Sequence, residues 1–181
     1  MAIISRINDL ARRWRLSDDT FLKRSEQEVG EIRQHLEDLR QTLRTAESGI
    51  IDESLVRQTA ELYRIGAVIY LHLEAYRPSG YSEDLQRLVR HALELLKGMS
   101  KCTSPWPIFV VALGCQDESQ RTEILTVIQN MEQRRIDNIF YMHEIIEHYW
   151  KFRDLNSLKD DRHSIDWRVL VNNESFLPSF I

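Results

Sequence analysis

The residues with the most chemical potential are His143-Glu144-Ile145-Ile146-Glu147-His148, two imidazoles and two carboxylates within one short stretch. A zinc-binding helix would use such groups, but two ligands on one helix must share a face, as positions four apart do. His143 and His148 are five apart and diverge by roughly 140° on a helix of 3.6 residues per turn. The expected reading is a solvated polar face in which Glu144 and His148 pair at i,i+4. The Glu-x-x-His pairs that hold di-iron centres in bundles are missing, because Glu144 is followed at that spacing by Glu147. Cys115 follows a glycine after an apolar run with no basic neighbour, which fits a buried structural thiol better than a nucleophile. Gly-rich phosphate loops are absent. No catalytic, cofactor-binding or metal-ligating residue is expected, and no cofactor.

Polar residues inside the most apolar stretch remain. Tyr63, Arg64, Tyr70 and His72 interrupt a run whose other members are Leu, Ile, Ala and Val. Arg64 and His72 project about 80° apart, close enough to face one cavity or one internal network. Buried polar groups must be paired in any case, so hydrogen bonding within the core or at its rim is the expected role, with a ligand pocket as the alternative.

These groups must be positioned by helices. Apolar residues recur at three and four along nearly the whole chain, and strict alternation never lasts a strand's length. Ile3, Ile4, Ile7, Leu10 and Trp14 form one face of a short first helix, which ends at Ser17-Asp18-Asp19. A long amphipathic second helix, Asp19 to Thr45, carries Leu22, Val29, Ile32, Leu36, Leu39 and Leu43 at heptad spacing, with Ser25 in an apolar position and Gly30 in its middle. That stripe packs on its own domain or, as the alternative, forms a homodimer face. A third helix, from Asp52 or Ser54 to Tyr76, is apolar on nearly every side and should be central. Ser82 caps a fourth helix that ends near Gly98 and Ser100. Pro105 and Pro107 flank Trp106 at the start of a very apolar fifth, and Asp117 opens a sixth. Phe140, Met142, Ile145, Ile146, Tyr149 and Trp150 line a seventh, and Ser164, Asp166 and Trp167 begin a last short one. The tail Phe176-Leu177-Pro178-Ser179-Phe180-Ile181 is too apolar to stay in water and should dock on the body through Phe176 and Phe180.

The architecture expected is all-α: a single globular multi-helix domain, with residues 1–48 as a helical arm that packs on the body or dimerises it, and 49–181 as the body. Trp106, Trp150, Trp167 and Tyr63 are expected to be core residues. The 24 basic and 28 acidic residues are interspersed and leave a net charge of −4, which offers no footprint for a nucleic-acid backbone. Direct DNA binding is therefore not expected. Cys102 and Cys115 read as reduced thiols of an intracellular protein without a signal peptide. The apolar run Ile65 to Leu71 is far short of the roughly 20 residues a membrane span needs.

Several strings together resemble a known family. Glu61-Leu62-Tyr63-Arg64 followed by Ile69-Tyr70-Leu71-His72 resembles the most distinctive helix of the fungal-specific transcription factor domain, the second of two large types that follow zinc binuclear clusters. Ser104-Pro105-Trp106-Pro107-Ile108-Phe109, running to Gly114-Cys115, resembles its Trp-Pro helix. Arg121 stands where the family's arginine follows an acidic residue, and Trp150 and Asp166-Trp167 resemble its two C-terminal tryptophan sites. The resemblance spans about Ser54 to Ile181. It implies a nuclear, non-catalytic effector domain that modulates transcription through a protein partner or small molecule, with Tyr63, Arg64, Tyr70, His72 and Arg121 as its candidate polar network or pocket. The six-cysteine cluster that precedes this domain in the family is not within these 181 residues. The chain is then an excised C-terminal region or a short relative without that module. A stand-alone helical adaptor or dimerisation module built on the second helix is the alternative, and a helical enzyme comes third.

Overall fold

Ten residues that are apolar on every side cannot form a surface helix, and their placement organises the fold. In a computed structural model, which describes residues 2–15, 22–39, 53–75, 82–99, 105–133, 139–157 and 167–168, this segment is α5 (Pro105–Gly114), with Pro107 through Gly114 all buried. Pro105 opens it, where a missing N–H costs nothing. Around α5 lie α3 (Glu53–Ala75), α4 (Glu83–Gly98), α6 (Glu118–Gln133) and α7 (Ile139–Ser157). On the outer side of α3 lie α1 (Ala2–Arg15) and α2 (Leu22–Asp38). Among the described residues no strand occurs, and the chain is a single all-helical globular domain. None of these helices is long and apolar enough to cross a membrane.

Close approach is set by small residues. A Cβ on Gly114 would lie 2.8 Å from Val89 Cγ2, so α4 and α5 could not touch as they do with any other residue there. A Cβ on Gly66 would meet Trp106 at 3.3 Å and Pro107 at 3.4 Å where α3 crosses α5. The start signals read from the sequence are present. Ser82 Oγ accepts the Leu85 N–H at 3.2 Å, and Asp117 Oδ1 accepts the Gln120 N–H at 2.8 Å. Leu85, Val89, Ala92, Leu93 and Leu96 form the buried stripe of α4. The α5–α6 turn is fastened from inside: Gln86 donates to the Gly114 carbonyl at 3.2 Å, Gln120 donates to Gln86 at 3.0 Å, and Gln120 Oε1 accepts the Gln116 N–H at 2.8 Å. These buried amides are paired, as burial requires.

The described second helix runs Leu22–Asp38, with Leu39 following outside it; residues 19–21 and 40–45 of the expected span lie outside the described residues. The described part of its apolar stripe packs within the chain. Val29, Ile32 and Leu36 are 1–2% exposed in a core shared with α1 and α3, because that stripe is what buries the arm on the body. Leu39 lines a cavity described below, the side chain of Leu22 is outside the described residues, and so is Leu43. Arg13 joins α1 to α2 by donating to both Glu28 carboxylate oxygens, at 2.7 and 2.9 Å. The tail with Phe176 and Phe180 likewise lies outside the described residues.

Candidate functional site

Between the arm and the body lies a cavity of about 650 Å³. Its walls come from α1 (Ile3, Ile4, Asn8), the end of α2 (Leu36, Leu39), α3 (Tyr63, Arg64, Ala67, Tyr70), α5 (Trp106, Phe109, Val110) and Trp167. The size falls within the roughly 300–1,000 Å³ of small-molecule pockets, and the mix of apolar lining with few polar groups is that of such pockets.

The rings form a connected wall. Tyr63 stacks on Trp106 with centroids 5.9 Å apart and planes at 12°, and Tyr70 meets the same indole edge-on at 6.1 Å. Phe109 meets Trp167 edge-on at 5.0 Å. Both arrangements suit the quadrupoles of aromatic rings. Trp167 is buried, but Trp106, also expected in the core, is only half-buried, and Tyr63 is 42% exposed. Tyr63 is thus a rim residue rather than a core one, because α3 turns it outward over Trp106.

A polar cluster ties α1, α3 and the Trp167 segment together. The Tyr70 hydroxyl donates to Asn8 Oδ1 at 2.6 Å. Arg168 donates to Glu74 Oε1 at 2.8 Å, to the Tyr70 hydroxyl oxygen, and to Asn8 Oδ1 at 3.4 Å. Its guanidinium also lies 4.9 Å from the centroid of the Trp167 ring. Glu74 is only 3% exposed, so Arg168 neutralises a buried carboxylate. At the rim, Arg64 donates to both oxygens of Glu61, at 2.8 and 2.6 Å. That bidentate bond lowers the Glu61 pKa and raises that of Arg64.

The sequence-predicted group is therefore divided. Tyr63, Arg64 and Tyr70 line the cavity, whereas His72 and Arg121 do not. His72 is buried elsewhere on α3, where desolvation and then the nearby charge of Arg33 hold its pKa below the ordinary histidine value. Arg64 and His72 do not share the cavity: eight residues along a helix separate them by about 12 Å as well as about 80°. Arg121 joins α6 to α7 with two 2.7 Å bonds to Asp154, its guanidinium 5.3 Å from the Trp150 ring centroid. Trp150 is 5% exposed and donates its indole N–H to the Ala112 carbonyl at 2.9 Å. Asn8, Glu74 and Arg168 were not anticipated. The available signal was a polar residue on an apolar face: Asn8 follows Ile4 by four, and Glu74 follows Tyr70 by four.

The other chemical candidates stay structural. His143 pairs with Glu147 at 3.4 Å along the polar face of α7. The Cys115 thiol donates to the Val111 carbonyl at 3.3 Å, and burial pushes its pKa up to about 12, far from a thiolate at neutral pH. Among the described residues no group of His, Cys, Asp and Glu is arranged to hold a metal ion.

No curated protein and no solved structure matches the chain. The model of the fungal specific transcription factor domain does match, over residues 1–181, so the arm and the body fall within one family domain. The cavity, the Trp-Pro helix and the buried tryptophans are therefore features of a regulatory domain of fungal transcription, and the chain belongs to the fungal specific transcription factor domain family.

Proposed function

We propose that this domain is the effector-sensing part of a fungal transcription regulator, and that it holds a small molecule in the cavity between arm and body. The observation that carries this reading is the cavity itself: about 650 Å³ with a largely apolar lining drawn from both arm and body. A packed interior gives up dispersion contacts wherever it leaves volume, so a ligand that restores them is bound. Because the walls come from both arm and body, occupancy is coupled to how firmly the two are held together. The domain works in the nucleus, and contact with DNA is made outside these 181 residues, since a net charge of −4 and two cysteines supply neither a basic footprint nor a six-cysteine cluster.

A metabolite screen by thermal shift tests this, because a ligand of the folded state stabilises by mass action. At least one compound should raise the melting temperature of the protein. Ala60 of α3 also lines the cavity, and Ala60→Phe, which fills it, should abolish that rise and make a reporter insensitive to the compound. Stabilisation that survives in Ala60→Phe would place the effector elsewhere.

A second reading has its own observation. Phe140, Tyr141, Phe152 and Leu155 are 44–62% exposed on α7, which supports a helical protein-interaction surface. Charged substitutions at Phe140 and Leu155 that abolish transcriptional output without changing ligand response would favour it.

A further inference from the structure

We infer that the cavity selects an uncharged aromatic compound bearing a hydrogen-bond-accepting oxygen, of the aryl ketone class. This rests on the reading of the cavity as the effector site and specifies its chemistry. Three features converge on it. The first is shape: Tyr63, Tyr70 and Phe109 present faces and edges around Trp106 and Trp167, a wall complementary to a flat ring rather than to a flexible chain.

The second is charge. Among the described residues Arg64 is the one charged residue in the lining, and its guanidinium is already matched by both oxygens of Glu61. Arg168, next to the lining residue Trp167, is matched by Glu74. A carboxylate ligand would have to compete with a carboxylate of the protein for either guanidinium, and an ammonium ligand meets no acidic side chain among the described lining residues. Entering an apolar cavity without such compensation is costly for an ion.

The third is hydrogen-bond polarity. Asn8 receives Tyr70 and Arg168 on one amide atom. Arginine only donates, so that atom is the oxygen and the remaining amide group is NH2. Among the described residues no acceptor meets that nitrogen, and Asn8 lines the cavity. The polarity left over on Asn8 is a donor, which a ligand carbonyl oxygen completes.

Isothermal titration of the full chain with five probes separates these features: 2-acetylnaphthalene, 2-naphthoate, 2-ethylnaphthalene, 2-(aminomethyl)naphthalene and 2-decanone. The aryl ketone should bind at least tenfold more tightly than each of the others. Asn8→Asp keeps an acceptor for Tyr70 and Arg168 but removes the donor. It should weaken 2-acetylnaphthalene at least tenfold, leave 2-ethylnaphthalene unchanged, and make the amine the tightest of the set. Trp106→Leu should weaken every naphthyl probe and spare 2-decanone. Naphthoate or decanone binding as tightly as the ketone, or an unchanged preference for ketone over hydrocarbon in Asn8→Asp, would overturn the inference. If another probe class binds and Ala60→Phe abolishes it, the aryl ketone assignment falls while the effector cavity stands. If none of the five binds and Ala60→Phe leaves reporter output unchanged, both fall.

Discussion

The two sides of α5 use apolar residues to opposite ends. Toward α4, α6 and α7 the interior is closed: Gly114 lets Val89 into contact, Ile124, Ile128, Met142 and Ile146 are 0–2% exposed, and Trp150 is fixed by its bond to Ala112. Toward α1 and α2 the same helix presents Phe109 and Val110 to open volume, and the neighbouring rings lean on one another. What replaces close packing on that side is polar cross-linking through Asn8, Tyr70, Glu74 and Arg168. A domain can thus leave a cavity without collapsing, provided hydrogen bonds between different elements hold its walls.

The sharpest way to break this comparison is in the closed half. Trp150→Ala removes a buried ring and the partner of a buried carbonyl, and should cost about 3–5 kcal/mol in urea unfolding. In the open half the largest loss should come from a charge rather than a ring. Arg168→Met leaves Glu74 buried beside an apolar side chain and should cost about 3 kcal/mol, and adding Glu74→Leu should restore much of it. If the double variant is no more stable than the single, the cluster is not the device that holds the wall. Trp106→Ala should cost about 2 kcal/mol, less than Trp150→Ala, since half-burial forfeits only part of the full loss. Tyr63→Ala should cost under about 1 kcal/mol. A Trp106 loss equal to that of Trp150 would mean that the open half is packed as tightly as the closed one.

The smallest effect is on pH dependence in the closed half. The bonds from Arg121 hold the Asp154 pKa below the usual aspartate value. Its contribution is therefore complete above the unfolded aspartate range and is lost as pH falls through the lower folded value. Asp154 is half-exposed, so solvent screens the interaction and the effect is modest. Melting curves between pH 6 and pH 3 should show a shallower acid decline in Arg121→Met than in the parent protein. An identical decline would show that this pair does not bear on acid stability.

How much of this was legible in the sequence depends on range. Ser82 and Asp117 were readable as caps because capping is decided within four residues, and α5 was readable as central because no face of it is polar. The end of α2 was not, since a heptad pattern says which residues seek burial but not where their partner surface stops. Tyr63 shows the same limit: on a helix apolar nearly all round, periodicity cannot say which side meets the neighbour. Asn8, Glu74 and Arg168 were invisible as a group because only the packing of α1 against α3 brings them together. Tyr70 was legible as a polar residue in an apolar run and Trp106 as a large ring between two prolines, and the family resemblance picked out both again.

The bond between Asn8 and Arg168 joins residues 160 positions apart, and the wall it secures is made from Ile3 at one extreme and Trp167 at the other. During synthesis the arm and the apolar α5 leave the ribosome long before Trp167 does. A chain that emerges at roughly 5–20 residues per second spends several seconds with the arm made and the wall unfinished. In that interval the Phe109 ring lacks the indole that later packs on it, which is when chaperone capture or aggregation competes with folding. Under the proposed effector role, a compound could fill that volume only after Trp167 and Arg168 have joined the wall, and its presence from then on would raise the yield of folded protein.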